Sequence, residues 1–242
     1  MSKQKNTKTT SNNGITWIDI SKPTEENVAE LRDQINLHPF IAKQIIPPIH
    51  RQEIEEYKSQ LFMLLRFPIY NEEAKHSEPI ELDIIITPDT LITIHDKEIT
   101  PLRVFFNDCD LQDYHKKQYF KSSGHLIFSL LDFMLDSCLP MLDHIHEKIE
   151  YIESEVFKQS REKEMLYEIT HLKRDITDFR RAIKPQRPVL EILAKKSKYF
   201  FDKNLDSLSQ EVIGSNIRVW NILEYHKELI FTIVHTYNTL LS

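Results

Sequence analysis

The sequence of 242 residues is 40% hydrophobic and 28% charged, the composition of a globular protein with chain enough for one large core or two modest ones. Its formal net charge of −6 supplies no general electrostatic reason to bind nucleic acid. The three glycines, Gly14, Gly124 and Gly214, are isolated from one another, which excludes the clustered-glycine loops that cradle phosphates.

Residues 1–14 are polar and basic, carry no apolar run that would serve as a secretion signal, and read as a disordered tail. "ITWIDI" then reads as a strand. Ser21 or Thr24 is placed to cap the helix begun in "PTEENVAELRDQI", with Pro23 suited to its first turn and Glu25 and Glu26 at its positive end. "HPFIAKQII" gives a second, short helix that must stop before Pro47 and Pro48. "QLFMLLRFPIY", "IELDIIIT" and "TLITIHD" are rich in apolar and β-branched residues. They follow one another too closely for crossovers, so antiparallel pairing is expected. Residues 98 to 118 look helical. Residues 15–122 therefore read as an α/β (α+β) domain, with a mixed, largely antiparallel sheet flanked by helices.

After Gly124 the pattern changes. Leu131, Leu135, Cys138, Leu142, Ile145, Ile149, Ile152 and Val156 alternate spacings of four and three, a heptad seam that predicts one long helix bent at Pro140. "EKEMLYEITHLKRDITDFRRAI" predicts a second helix with the buried row Leu166, Ile169, Leu172, Ile176, Phe179 and Ile183, ended by Pro185 and Pro188. The two should lie antiparallel within a helical segment over 123–204.

From Leu205 a last helix is expected over 205–242. Trp220, Leu223, Lys227, Ile230, Val234, Tyr237 and Leu241 form one row, and Val219, Ile222, His226, Leu229, Ile233, Thr236 and Leu240 form another beside it. One row satisfies a pair of helices; two predict several neighbours. The helix is still strongly apolar where the sequence ends, so it is expected to continue past Ser242. No window of the sequence reaches the roughly 18 uninterrupted apolar residues of a membrane span.

Candidate chemistry is sparse. His144 and His146 are two apart on a helix, so they point to different faces and do not chelate one ion as an i, i+4 pair would. Cys109 and Cys138 have no ligand neighbours and no disulfide spacing, which fits a reducing compartment such as the cytoplasm. No nucleophile elbow or catalytic Cys or His motif is present, so no catalytic residue is assigned and an enzyme is not expected. Asp132, Asp136, Asp143, Glu147 and Glu150, at spacings of four, seven, four and three, share a face of the long helix. A hard divalent cation takes oxygen ligands, and Mg²⁺ touches one or two carboxylates while keeping several waters. The stripe is a candidate cation-attracting face. The alternative is a solvated face balanced by Lys173, Arg174, Arg180, Arg181 and Lys184.

"TWIDISKPTEENVAELRDQINLHPFIAKQII", the strands ending in "TLITIHD", "LIFSLLDFMLDSCLPMLDHIHEKIEYIESEVF", "HLKRDITDFRRAIKPQRPVL" and the closing long helix, in this order over residues 15–242, resemble the CorA family of divalent-cation channels. The resemblance implies a cytoplasmic α/β domain, a pair of acidic willow-type helices, and a stalk helix cut before the first membrane span. It also implies a homopentameric, multi-pass protein of the inner membrane, whose Gly-Met-Asn signature would lie beyond Ser242. Regulatory Mg²⁺, with Co²⁺ as a second ion, is implied between neighbouring cytoplasmic domains. Asp132 matches an inter-subunit carboxylate of the family, and Glu211 matches a ligand that is usually Asp. Two positions depart from the pattern. The acidic pair that follows "HP" in the family's magnesium channels is Lys43 and Gln44 here, and Ser215 stands where a histidine occurs in some members. A lysine at that interface repels a divalent cation and can pair with Glu211 or Asp132 instead, so a weakened sensing site is expected. The alternatives are the zinc-transporting ZntB branch, which shares the architecture, and a stand-alone helical scaffold that binds a partner protein.

Overall fold

Asn13 and Gly14 both adopt positive φ, 52° and 77°, and turn the chain back on itself between two antiparallel strands, β1 (Thr7–Asn12) and β2 (Ile15–Ser21). This computed structural model describes residues 6–46, 51–71, 73, 76–156, 162–201 and 204–241. The first five residues, Pro47, Pro48 and Ser242 lie outside them. The expected disordered tail is thus corrected over Thr7–Asn12. Asn-Gly is the residue pair that tolerates two left-handed positions in a hairpin turn, and that signal outweighs the polar composition around it. Thr10 pairs in register with Trp17 and is itself buried.

The described strands form one sheet in the order β1-β2-β6-β5-β4-β3, with β3 (Glu53–Tyr57), β4 (Gln60–Asn71), β5 (His76–Ile86) and β6 (Thr90–His95). Every pairing is antiparallel except β2 with β6, as a mixed, largely antiparallel sheet requires. The acidic edge strand β3 is not foreseen from sequence. It is held by a two-residue turn at Lys58–Ser59, with Lys58 at φ 56°.

Alternation along the strands divides the apolar residues between two faces. Ile18, Ile20, Phe62, Leu64, Ile85, Ile92 and Ile94 meet α1 (Glu25–Ile35) and α2 (Pro39–Ile45), which contribute Val28, Leu31, Ile41 and Ile45. Thr24 caps α1, accepting from the Asn27 N–H at 3.3 Å, while Asn27 Oδ1 accepts from the Thr24 N–H at 3.0 Å. On the other face Trp17, Leu61, Met63, Leu65, Leu82, Ile84 and Leu91 open a core that continues without interruption through the helices to Tyr237. Each such side chain, fully buried, contributes roughly 1.5–3 kcal/mol. The helices of this layer begin with α3 (Thr100–Leu111) and α4 (Asp113–Tyr119).

The expected single helix is two. α5 (Ser123–Asp136) and α6 (Leu139–Val156) are separated at Ser137 and Cys138, where the Cys138 N–H bonds the Leu135 carbonyl in a tightened turn. Pro140 lacks an N–H and its ring crowds the carbonyl four residues back. The interruption therefore falls ahead of it, and Pro140 occupies the first turn of α6. All eight predicted seam residues are nevertheless buried. The run 123–156 is long and apolar enough to cross a membrane by composition, but half of its most apolar window is buried in this core.

α7 (Glu162–Ile183) has the predicted limits, although Leu166 is exposed and Met165 takes its place in the buried row. α8 (Gln186–Phe200) is unforeseen, because Pro185 and Pro188 read as stops. They stand at its N-cap and in its first turn, where a missing N–H costs nothing. α9 (Asp206–Leu241) packs against α5, α6, α7 and α8, the several neighbours that two apolar rows predict. Its buried seam, Val212, Asn216, Val219, Leu223, His226, Ile230, Ile233 and Tyr237, takes alternate members of both rows, with Trp220, Ile222, Leu229 and Val234 half-covered beside it. The side chains of Leu240 and Leu241 lie outside the described residues.

Candidate functional site

Four cross-helix approaches fix the direction of α9. Phe201 and Leu205 close over Gly124, Ser215 Oγ donates to Asp132 Oδ1 at 2.8 Å, Arg218 reaches Asp136 at 3.7 Å, and the rings of His146 and His226 lie 5.4 Å apart. Both series of numbers ascend, so α5 and α6 run parallel to α9. Along α7 the order reverses: Lys184 lies over Trp220, Arg180 pairs with Glu224, and Lys173 lies over Phe231. α7 is therefore antiparallel to α9, and hence to α6, as the sequence predicts.

This register brings Asp132 to Ser215 and Asp136 to Arg218 at the α5–α9 contact, with Glu211 exposed one turn before Ser215 on α9. Asp132 and Asp136 are one turn apart on α5; Glu211, Ser215 and Arg218 are one turn apart on α9. Burial, and then the neighbouring Asp132, push the Asp136 carboxyl up from its ordinary value against the pull of Arg218. Ser215 is buried and half-buried Asp132 accepts its hydroxyl, whereas exposed Glu211 makes no hydrogen bond or ion pair with a described residue. The donor set is all oxygen, carboxylate and hydroxyl, which suits a hard cation held partly through water. Ser215 and Arg218 compete with any such ion for the same carboxylates.

The rest of the predicted stripe is dispersed. The break at Ser137–Cys138 separates the α5 pair from Asp143, Glu147 and Glu150, all exposed on α6. Glu147 stands 3.5 Å from His144, and Glu150 3.5 Å from His146. The bases of α7 do not balance these acids. Arg174 and Arg181 pair with Asp178, Arg180 pairs with Glu224, and Lys173 and Lys184 lie over aromatic rings. Lys43 is exposed on α2, 6.0 Å from the centre of the Phe40 ring, and Gln44 donates to Glu55. Since α2 covers the opposite face of the sheet, neither residue meets Asp132 or Glu211 within one chain.

Packing also makes contacts that no spacing announces. Asn216 donates to Gln186 Oε1 at 2.9 Å, and Gln186 Nε2 donates to the Arg66 carbonyl at 2.7 Å, so a buried amide relay one residue beyond Ser215 ties α9 to β4. Asp175 on α7 accepts the Ser77 N–H of β5 at 2.7 Å. A shift of α9 thus bears directly on the sheet. Among the described residues, no three His, Cys, Asp or Glu side chains gather as a metal cluster.

A mixed sheet between a helical pair and a helical bundle is the fold of CorA soluble domains. The soluble domain of CorA from Methanocaldococcus jannaschii superposes with a TM-score of 0.82 at 18% identity, covering 94% of this chain and 89% of that one. The cytoplasmic domain of ZntB from Vibrio parahaemolyticus superposes at 0.76 and 13% identity, covering 93% and 87%. Residues 12–242 match the CorA-like Mg²⁺ transporter protein family, and the chain belongs to it. Its relatives include the cobalt/magnesium transport protein CorA of Thermotoga maritima, 22% identical over 92% of this chain and 63% of that protein. The magnesium transporter ALR2 of Saccharomyces cerevisiae is 25% identical over 74% of this chain and 21% of that protein. The chain thus spans less than two thirds of the length of these relatives.

Proposed function

We propose that the chain is the cytoplasmic regulatory domain of a homopentameric CorA-like channel for divalent cations, Mg²⁺ first and Co²⁺ second, lying on the inner side of the cell membrane. In this reading Asp132 and Glu211 sense the cytoplasmic cation, and α9 passes the response to membrane spans that follow it. The observation that carries the reading is the continuity of α9. One helix of 36 residues holds the sensing carboxylate, the amide relay to the sheet and a seam shared with four other helices. A cation bound at the α5–α9 contact changes the position of α9 only by its differential affinity for two arrangements of that contact. Ser215 and Arg218 already satisfy Asp132 and Asp136, and Lys43 and Gln44 replace the family's acidic pair, so the site is a weak one.

The test is cation flux into liposomes carrying a polypeptide in which this chain continues into its membrane spans. Mg²⁺ influx that slows as Mg²⁺ is raised on the side of this domain supports the proposal. The absence of flux for Mg²⁺, Co²⁺ and Zn²⁺ alike would instead favour a scaffold that binds a partner protein. The likeness to the ZntB domain supports the zinc-transporting alternative, and Zn²⁺ flux unaffected by excess Mg²⁺ would favour it.

A further inference from the structure

We propose that a slot along the open edge of β5 binds a linear aliphatic polyamine, with Asp83 at one end and His76 at the other. Asp83 is the last residue of β5 in register with β6, opposite Ile94; from Leu82 back to His76, β5 pairs with β4 alone among the described strands. A cavity of about 740 Å³ follows this edge, walled by the end of β6, the end of α2, and Arg174 and Asp178 of α7. Its lining runs from His76 to Asp83, a span of roughly 23 Å at about 3.3 Å per residue. That length suits an extended chain rather than a compact ligand. Ser77 donates its edge N–H to Asp175 at 2.7 Å, and Pro79, two residues on along the same edge, has no N–H. A peptide strand therefore finds few donors here with which to pair.

The chemistry of the lining selects a cation. Asp83 is 5% and His76 6% exposed, and Oδ1 of Asp83 and Nδ1 of His76 have no hydrogen-bond partner among the described residues. A buried acceptor is costly without a donor, and an ammonium group supplies up to three. Each lysine and arginine of the lining already faces an acid: Arg66 lies 3.4 Å from Glu81, Lys97 2.9 Å from Glu78, and Arg174 3.6 Å from Asp178. His95 is turned to Asp19 at 3.4 Å. Asp83 and exposed Asp96 remain in excess. Burial, and then neighbouring Glu81, push the Asp83 carboxyl well above its ordinary value, and an adjacent ammonium favours its charged form. Ile45, Ile46, Ile80 and Ile94 offer apolar surface to the methylene segments between the nitrogens. With no cluster of three metal ligands among the described residues, an organic cation meets this charge better than a metal ion.

The experiment is calorimetric titration of spermine, a linear tetraamine, into the folded chain at neutral pH, with 1,4-diaminobutane, too short to span the slot, as the comparison. Both titrations contain a large excess of Mg²⁺, which suppresses the general attraction of polycations to a chain of net charge −6. The expected result is one spermine per chain, bound about tenfold or more tighter than the diamine. Asp83→Asn weakens both amines about tenfold or more. Its urea midpoint holds or rises, because the substitution removes a buried carboxyl that the fold leaves unpaired. His76→Gln weakens spermine and leaves the diamine unchanged. No binding under excess Mg²⁺, equal affinity for the two amines, or affinity unchanged in both variants would overturn the inference. A lowered urea midpoint or loss of folding in Asp83→Asn would make Asp83 a structural residue and overturn it as well. Because the readout is binding to this chain alone, it stands or falls independently of cation transport.

Discussion

A methyl group at Gly124 and the same methyl group at Gly214 should have opposite effects on stability. At Gly124, in the first turn of α5, an added Cβ would stand 2.4 Å from Leu205 Cδ1 and 2.8 Å from two carbons of the Phe201 ring. Both neighbours are core residues, 5% and 7% exposed, with little room to withdraw. Overpacking of this kind costs about 1–3 kcal/mol, against at most ~1 kcal/mol gained by replacing glycine in a helix. The balance for Gly124→Ala is a loss of up to ~2 kcal/mol. At Gly214, in the exposed face of α9, the added Cβ meets nothing within 4 Å, and the helical gain of about 0.5–1 kcal/mol remains. Urea unfolding followed by circular dichroism, with all three chains at one protein concentration, measures the difference directly. Gly124→Ala as stable as Gly214→Ala would refute the close junction of α5 with the α8–α9 turn, and with it the register that assembles the site.

Two further outcomes follow from buried polar groups. His95 presents Nδ1 to the Lys97 carbonyl at 2.8 Å and Nε2 to Asp19 at 3.4 Å, two acceptors that only the doubly protonated ring can satisfy. Burial pulls its pKa down, but the hydrogen bond and charge of Asp19, with the Lys97 carbonyl, outweigh it and leave the pKa raised. The resulting stabilisation is complete below the unfolded imidazole value of about 6.5 and disappears as pH rises through the folded value. Wild type should therefore lose stability relative to His95→Gln between neutral and alkaline pH, and a difference that is flat or opposite in sign across urea titrations would contradict this. Asn216→Ala strands the buried Gln186 Oε1 and should cost about 1–3 kcal/mol in the same unfolding assay; an unchanged midpoint would remove the relay from the account.

Local chemistry made much of the fold readable. The Thr24 cap, the β-branched runs of β4 to β6 and the period of α7 each follow from rules that act over a few residues. The elements that escaped were those in which two local signals disagree. Polar composition hid β1 behind an Asn-Gly turn, charge hid β3, and the prolines that follow the end of α7, as expected, also begin α8, which their reading as stops concealed. At the site, the spacing of Asp132 and Asp136 was legible because it lies within one helix. Their partners Ser215 and Arg218 are about 80 positions further on and become neighbours only through the parallel register of α5 and α9. The same register pairs His146 with His226, which helical spacing on α6 or α9 alone has no means to announce.

The central claim, that the α5–α9 carboxylates form a weak sensor of divalent cations, is tested most directly by calorimetric titration of Mg²⁺ into the chain, with sedimentation recording its assembly state. The account expects binding that saturates only at millimolar Mg²⁺ and is lost in both Asp132→Asn and Glu211→Gln. Micromolar binding lost in Asp132→Asn would contradict the weakness inferred from Ser215, Arg218, Lys43 and Gln44. Binding unaffected by either substitution, or no binding at all, would contradict sensing at these carboxylates.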